Sequence, residues 1–397
     1  MPVTHDRYVI NLYYSNQKVD LSAQEYSFSI SDSIFSLYPT GTFTLHDLSG
    51  MFQEGLITSE GSEVDIEYGD KDVVNVCSFT ALNDELSDIR HDSMLRGYVD
   101  IPLIHSWYSQ QQLVQKGWKD SIGNIVEEIA GSAFSEVDID PAENDDYWLQ
   151  ANQTDASFIK NTLLPNAFSP SANGSPYFAY ITSDNVFHFK NSYSLSTERT
   201  IDTIEYKRLT DQKDPSVPNV RGIIGQLRRW KQSSKDHWKD RRKVIYQISR
   251  TTGDLETNET TILDHPTKQG WVLPILSDNS LVTGSLNNLF TETNPARKQN
   301  KLGLVNNSYR ESNFTDFFQV IIQFDPRMHA GNLVNLRIYT PEKDNTKLSS
   351  NFSGQYTIIN CDHIWNGENS IGYTALTLGR KYIDVPSSYN LKPKLIQ

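Results

Sequence analysis

Phe317-Phe318-Gln319-Val320-Ile321-Ile322-Gln323-Phe324 is the stretch on which the fold turns. It is rich in β-branched and aromatic residues, and Asp325-Pro326 stops it. Gly331 then leads into Asn332-Leu333-Val334-Asn335-Leu336-Arg337-Ile338-Tyr339, where Val334, Leu336 and Ile338 share one face at period two. Pro341 and the polar residues up to Ser353 predict a long loop. Two more runs follow, Gln355 to Trp365 and Ile371 to Arg380, joined across Asn366-Gly367. Both residues of that dipeptide tolerate positive φ, so it favours a hairpin. Four antiparallel strands are predicted, enough to curl into a small barrel.

The same layout recurs near the N-terminus. Gly61-Ser62-Glu63-Val64-Asp65-Ile66-Glu67-Tyr68 aligns on Gly331-Asn332-Leu333-Val334-Asn335-Leu336-Arg337-Ile338, with the glycine and the apolar residues at matching offsets. Each block follows a β run, Thr42 to Leu45 or Phe318 to Phe324, and precedes a strand bearing one of the two cysteines, Cys77 or Cys361. Any two half-buried strands share some of this pattern, so a repeat and a coincidence both stay open.

A chain of 397 residues predicts two to four domains. Hydrophobic residues make up 37% and the mean hydropathy is -0.51, the profile of a soluble protein with modest cores. The 20 Tyr and 17 Phe suit β structure and interfaces. A net charge of -13 argues against a general nucleic-acid coat, which needs a basic surface, but not against a conduit that repels phosphate. Two cysteines in apolar strands predict buried free thiols rather than a disulfide framework. The opening residues carry no signal-peptide core, and no apolar run reaches the roughly 20 residues that span a bilayer. The expectation is a protein kept in the cytoplasm until it joins a larger assembly.

Strands are predicted at Tyr8 to Tyr14, Tyr26 to Ile30, Thr42 to Leu45, Val64 to Tyr68, Val73 to Thr80 and Met94 to Leu103. From about His105 the period changes. Trp118 to Ala130 places Ile122, Ile125, Val126 and Ile129 at helical spacing, with Gly131 as its cap. A second helix is predicted over residues 155 to 164, capped by Thr154 or Asp155, and a hairpin at Tyr177 to Ile181 and Val186 to Phe189 turns through Ser183-Asp184-Asn185. Val244 to Ile248 reads as a strand, whereas Asp254 to Pro295 is polar and poor in pattern.

No motif with catalytic or metal spacing stands out. Asp138 to Asp146 is acidic but lacks the glycine and final acid of a calcium loop, and reads as solvated. His46-Asp47 and Asp362-His363 each pair an imidazole with a carboxylate, but strand neighbours point to opposite faces. There is no nucleophile elbow, phosphate loop or dinucleotide fingerprint, so neither a catalytic residue nor a cofactor or metal is assigned. One chemical anomaly remains. Arg228, Arg229, Lys231, Lys235, Lys239, Arg241, Arg242 and Lys243 interleave with Trp230 and Trp238 in an otherwise acidic chain. It suits a nucleic-acid contact, a docking surface for an acidic partner or neighbouring subunit, or a solvated face packing its stems on the tryptophans. Net charge disfavours the first. Arg228, Arg229, Trp230, Trp238, Arg241, Arg242 and Lys243 are the candidate docking residues.

The two barrel patterns, with the closing strands Gly354-Gln355-Tyr356-Thr357-Ile358-Ile359 and Gly372-Tyr373-Thr374-Ala375-Leu376-Thr377-Leu378-Gly379-Arg380, give the chain a family likeness. It resembles the baseplate hub proteins of contractile-tailed bacteriophages and is similar to the N-terminal part of type VI secretion spike proteins. Gln150 to Asp155 with Phe158-Ile159 looks like the insert domain of phage hubs. The resemblance covers nearly the whole chain, through strand patterns rather than a ligand spacing. It implies an α+β fold, mainly β, with two tube-like antiparallel β-barrel domains and a small α+β insert. The divisions expected are 1–104 for the first barrel, 105–195 for the insert, 196–255 for the start of the second barrel with the basic segment, 256–316 for an irregular insertion, and 317–397 for completion of that barrel and a tail. It further implies a homotrimeric ring in a virion tail baseplate, adapting a six-fold tail tube to a three-fold spike. Its partners are then the tube or tube-initiator protein, the central spike, and the tape measure protein and baseplate wedge, with no membrane and no specific nucleic acid. Two alternatives stand beside it: a modular β-rich glycan hydrolase with aromatic sugar platforms, and the spike base of a type VI system. That second family continues into a further barrel and β-helix, so a chain ending at Gln397 implies a separate spike.

Overall fold

Alternation of apolar and small polar residues builds most of this chain into strands. The structure, a computed structural model, describes residues 7–14, 17–20, 26–46, 62–69, 72–82, 90–91, 97–143, 146–169, 176–206, 220–224, 227–231, 242–248, 255–261, 306, 310, 313–314, 316–339, 348–349, 352–366 and 371–380. The N-terminal half contributes β1 (Arg7–Tyr14), β2 (Gln17–Asp20), β3 (Tyr26–Ser33), β4 (Thr40–His46), β5 (Glu63–Gly69), β6 (Val74–Ala81), β7 (Arg90–His91) and β8 (Gly97–His105). They pair in the order β3-β4-β8-β6-β5-β1-β2, with β7 on β8, and every pairing is antiparallel. The inward residues of β3, β4, β5, β6 and β8 share one core, including Phe28, Phe43, Ile66, Phe79 and Leu103. Phe28 and Tyr68 meet across it at 6.2 Å, so the sheet wraps around its own core and the outer faces of β3–β4 and β5–β6 point in different directions.

Next come β9 (Val114–Asp120), α1 (Ile122–Ala133), β10 (Val137–Ile139), β11 (Asp146–Gln153), α2 (Asp155–Phe158), a π-turn at Ile159–Leu163, α3 (Leu164–Asn166), β12 (Tyr177–Ile181), β13 (Phe187–Asn191) and α4 (Ser192–Thr197). The helix predicted from Trp118 starts at Ile122 instead. Trp118 is the buried residue of an exposed strand, paired with Trp148 of β11, and Ser121 caps α1 by accepting from the Asn124 N–H. Gly131 lies inside α1, which runs on to Ala133, so it is no cap. Thr154 does cap the next helix, accepting from the Ser157 N–H, but that helix widens into the π-turn before Pro165, which has no N–H to continue the ladder. The predicted hairpin forms as β12 and β13, with Asn185 at φ +66° in its turn. No described helix is long and apolar enough to cross a membrane.

The C-terminal half adds β14 (Asp202–Tyr206), β15 (Val220–Gly222), β16 (Arg228–Lys231), β17 (Arg242–Ile248), β18 (Leu255–Thr261), β19 (Asp316–Gln323), β20 (Leu333–Ile338), β21 (Gly354–Asn366) and β22 (Ile371–Arg380). All four strands predicted from the opening stretch are present, and β21 pairs with β22 from Thr357↔Gly379 to Asn366↔Ile371. The segment read as pattern-poor begins instead with β18, paired to β17. Residues 262–305 lie outside the described ones.

Among the described residues the strand ladders form no closed pair of barrels. One 15-stranded sheet runs through both halves, joined where β3 pairs β21 from Ser33↔Asn360 to Ser27↔Asn366. At the far side Ile223 bridges Ile322 of β19, the Ile224 N–H donates to Ile321 O, and the Ile223 N–H donates to the Glu205 carbonyl of β14, yet among the described residues no closed barrel is found. Each half still keeps its own core, the second built from Ile204, Phe318, Val320, Leu336, Ile358, Leu376 and their neighbours. The sequence alignment of Val64, Ile66 and Tyr68 on Val334, Leu336 and Ile338 holds for burial, all six facing inward. It fails for the cysteines: Cys77 sits opposite Ile66, whereas Cys361 sits opposite Asp32 and Leu376. The flanks differ too, because β5 takes β1 antiparallel while β20 takes β14 parallel.

Gly331 makes the turn into β20 at φ +89°, with the Tyr180 hydroxyl where a Cβ would stand. Gly331→Ala is therefore expected to cost about 1–3 kcal/mol in chemical denaturation. An unchanged midpoint would show that this turn relaxes freely.

Candidate functional site

The first candidate is a face of the sheet. β3 reads Tyr-Ser-Phe-Ser-Ile-Ser-Asp-Ser, and its pleat sends Phe28, Ile30 and Asp32 inward and Ser27, Ser29, Ser31 and Ser33 outward. Register lays Thr40, Thr42 and Thr44 of β4 beside the serines on one flank, and Asn360, Asp362, Ile364 and Asn366 of β21 on the other. Beyond β21 come Tyr373, Ala375 and Thr377 of β22, then Gln319, Ile321 and Gln323 of β19. Short hydrogen bonds knit the strands: Ser31 Oγ to Asp362 (2.5 Å), Ser33 Oγ to Asn360 (2.6 Å) and Thr44 Oγ1 to Asp100 of β8 (2.7 Å). From β8 through β19 the described outward residues include no lysine or arginine; their charges are Asp100 and Asp362. Partial burial raises the Asp362 pKa, against the Ser31 hydrogen bond. This surface offers hydroxyls, amides, two carboxylates and a few apolar side chains, with Arg228 of β16 at its edge beside Gln319, a poor grip for phosphate.

The second is a buried polar latch where β3, the β12–β13 turn and the β19–β20 loop meet. Asp32 accepts the Ser183 N–H (2.9 Å), the Ser183 hydroxyl (2.9 Å) and the Ala330 N–H (3.0 Å). Tyr68 donates to Ser183 Oγ (2.7 Å), and His329 lies between Asp32 (3.6 Å) and Asp184 (3.5 Å). Burial works against the Asp32 carboxylate, but the His329 contact outweighs it and holds its pKa below the ordinary range. Burial likewise works against the His329 charge, and Asp32 and Asp184 override it, so its pKa is raised. Beside it, burial lowers His363 to about 4, neutral between Met328 O (3.0 Å) and Thr374 (3.3 Å). A serine, a histidine and two aspartates in contact evoke a hydrolytic triad. Here the Ser183 proton is committed to Asp32 and the side chain is 1% exposed, so the chemistry is fastening rather than attack. Sequence reading met His363 only beside Asp362 and Ser183-Asp184 only as a turn, and it missed Asp32, Tyr68 and His329 as partners, since these residues lie up to 298 positions apart.

The predicted docking residues divide. Arg229 points inward: it pairs with buried Asp316 (2.9 Å) and lies over Phe352 (4.4 Å), closing the end of the second core with Arg380. Arg228 and Trp230 point outward, and Trp230 stacks on Phe317 at 5.4 Å while 43% exposed. Arg242 and Lys243 open β17, whereas Trp238 and Arg241 lie outside the described residues. The acidic stretch from Asp138 is tied down rather than free: Lys190 is held by Asp138 (2.8 Å) and Glu198 (2.8 Å), and Asp140 accepts from Asn191 beneath α4. The His188 hydrogen bond, opposed by burial and aided by Lys190, takes Asp138 to about 2. Among the described residues no group of side chains could hold a metal ion. Both cysteines are free and buried, and burial pushes both thiols up. Asp362 and His363 point to opposite faces; His46 and Asp47 are not placed by the described side chains.

No family model and no curated protein matches this chain. Solved structures do. A tail protein from Neisseria meningitidis aligns with 94% of this chain and 97% of its own at 8% identity and a TM-score of 0.49. The 43 kDa tail protein of prophage MuSo2 from Shewanella oneidensis aligns with 94% and 98% at 8% identity and 0.49. The chain is similar to tail proteins. An E. coli component of the type VI secretion system, itself described as similar to T4 bacteriophage tail proteins, aligns over 91% of this chain and 74% of its own at 9% identity and 0.45.

Proposed function

We propose that this chain is a structural hub of a phage tail baseplate, a trimeric ring that joins the six-fold tail tube to a three-fold central spike. The observation that carries this reading is the outward face from β8 to β19. It spans both halves of the chain in one sheet, and its described residues are mainly hydroxyls and amides, with the carboxylates of Asp100 and Asp362, the apolar Ile321, Ile364 and Ala375, and no cation until Arg228 of β16, opposite Gln319. Such a face suits the lumen of a conduit, because DNA passing over it meets carboxylates and neutral groups rather than a basic surface that would hold it. Two half-sheets with separate cores in each chain, taken three times, give the six comparable units a tube requires. The latch at Asp32 ties the insert to both halves of the chain, as a rigid ring needs. The boundaries given above from the sequence belong to this proposal, as do the tube, spike, tape measure and wedge proteins as partners and the virion tail as location. No catalytic step is assigned.

The deciding experiment is the mass of the assembled complex, expected at three chains, with tube or spike protein added if the chain alone stays dissociated. A stable monomer within the complex, or a ring of another number, removes the reading.

The basic segment is proposed as the docking surface. Arg241→Glu with Arg242→Glu is expected, on the docking reading, to weaken assembly and leave the melting temperature within about 1–2 °C, since charge changes away from packed features cost little stability. Assembly unaltered in low salt would contradict the docking role; failure to fold would make the segment a cover for the core.

A further inference from the structure

The outward edge of the second half and the outer face of the first half are unlike and complementary. Ile224 and β16 lie in turn along one edge of β19: the Ile224 N–H donates to Ile321 O, Arg228 sits opposite Gln319, and Trp230 opposite Phe317. Ile224 is 53% and Trp230 43% exposed, and Arg228 between them is exposed too. The row is apolar and cationic. Beyond it β16 has no further strand partner among the described residues, and an open edge of this kind calls for a cover. On the first half, β5 and β6 turn outward Glu63, Asp65 and Glu67 beside Val74, Val76 and Ser78. Val74 is 45% and Val76 44% exposed, and among the described residues the charges that β5 and β6 themselves turn to that face are carboxylates and no cation, Arg7 of β1 lying in register beyond them opposite Gly69. This face is apolar and anionic.

We propose that the row Ile224, Arg228, Trp230 of one copy packs on the outer face of β5 and β6 of a second copy. The inference rests on the ring reading above and names the surfaces that close it. Two different patches on one chain make a head-to-tail contact, which repeats until the ring closes. The apolar side chains supply the buried area, and Arg228 facing the Glu63 row sets the direction of docking. Both patches lie on the outside of their half-sheets, so the contact disturbs neither core.

Cysteine cross-linking of the full chain tests it. Native Cys77 and Cys361 are buried and do not compete. Ile224→Cys mixed with Val74→Cys is expected to give a disulfide-linked pair under mild oxidation, while neither variant links to itself. The doubly substituted chain should then accumulate as one discrete closed species. In parallel, Arg228→Glu should weaken self-association about tenfold in low salt, and Arg228→Glu with Glu63→Arg should restore it. A three-chain mass without the mixed cross-link overturns this contact and leaves the ring reading standing. A mixed cross-link in a complex of another number supports the contact and overturns the three-fold ring. Self-linking of either single variant, or a chain that stays monomeric and unlinked with tube or spike protein present, overturns the proposal.

Discussion

Asp32→Ala is expected to cost about 3–5 kcal/mol, enough to unfold much of the population of an ordinary domain. The carboxylate is fully buried and satisfies two backbone N–H groups and one hydroxyl, besides facing His329. Its removal strands the Ser183 and Ala330 N–H groups without water and takes from His329 its hydrogen-bonded carboxylate, leaving Asp184 and the more distant Asp325. The damage would fall on the junction itself, since those groups come from β3, the β12–β13 turn and the loop before β20. Asp32→Asn should cost less, because the amide oxygen keeps some of the acceptors. The measurement is chemical denaturation of both variants, with His329→Ala and the Asp32→Ala/His329→Ala double variant completing a cycle. The double should be clearly less than additive, since both singles break one network. A loss below about 1 kcal/mol for Asp32→Ala would mean that the latch is ornamental.

Acid should destabilise the fold well before its carboxylates protonate. His105 is neutral by construction: the Trp107 N–H donates to its Nδ1 (3.2 Å) and its Nε2–H donates to Asn185 (2.8 Å). Burial, opposed by the Asn185 hydrogen bond, takes it to about 4, and burial takes His363 to about 4 as well. Both begin to bind protons in the unfolded chain near pH 6.5 but resist them in the fold until about 4. Stability is therefore intact above pH 6.5 and falls between 6.5 and 4, by about 3 kcal/mol for each histidine at pH 4. His329 has the opposite sign. Its raised pKa stabilises fully below the unfolded value and is lost only as pH rises through the folded one, so it offers nothing further in acid. The lowered Asp32 adds a loss at still lower pH, as pH falls through its folded value. Thermal midpoints from pH 8 to 4 should peak at or above neutral and drop steeply below 6.5. A flat profile down to pH 4.5 would place both imidazoles in water. The proposed ring would then also be easier to dissociate in acid through its folded chains, an effect separable from charge at the interface by repeating the titration in high salt.

Local chemistry set what the sequence revealed. Period-two alternation in Phe317 to Phe324 and in Val334 to Ile338, and the Asn366-Gly367 pair between Gln355 and Arg380, specified four strands, since each strand's inner face is written in its own residues. Thr154 and Asp155 announced a cap that Thr154 makes, and the apolar neighbours of Cys77 and Cys361 announced two buried thiols. Even the hydroxyl face was written there, in the serines that alternate with Phe28 and Ile30. What the sequence could not show was which strand lies beside which. The join of β3 to β21 and the parallel pairing of β14 with β20 depend on backbone groups that every strand carries alike. Trp118 went to a strand because Trp148 waits across the ribbon, a partner that helical spacing does not report. Arg229 looked like surface charge until the fold put Asp316 beneath it. Asp32, Ser183 and His329 became one site only when three distant segments met in a space without water, where each buried polar group needs the others for its hydrogen bonds. The sequence alone thus determined many of the strands with their sidedness and the cap at Thr154, but not the cap at Ser121 or the strand at Trp118. Tertiary structure decided their neighbours, and with them the latch and the continuous face, because long-range pairing is fixed by mutual burial rather than by local pattern.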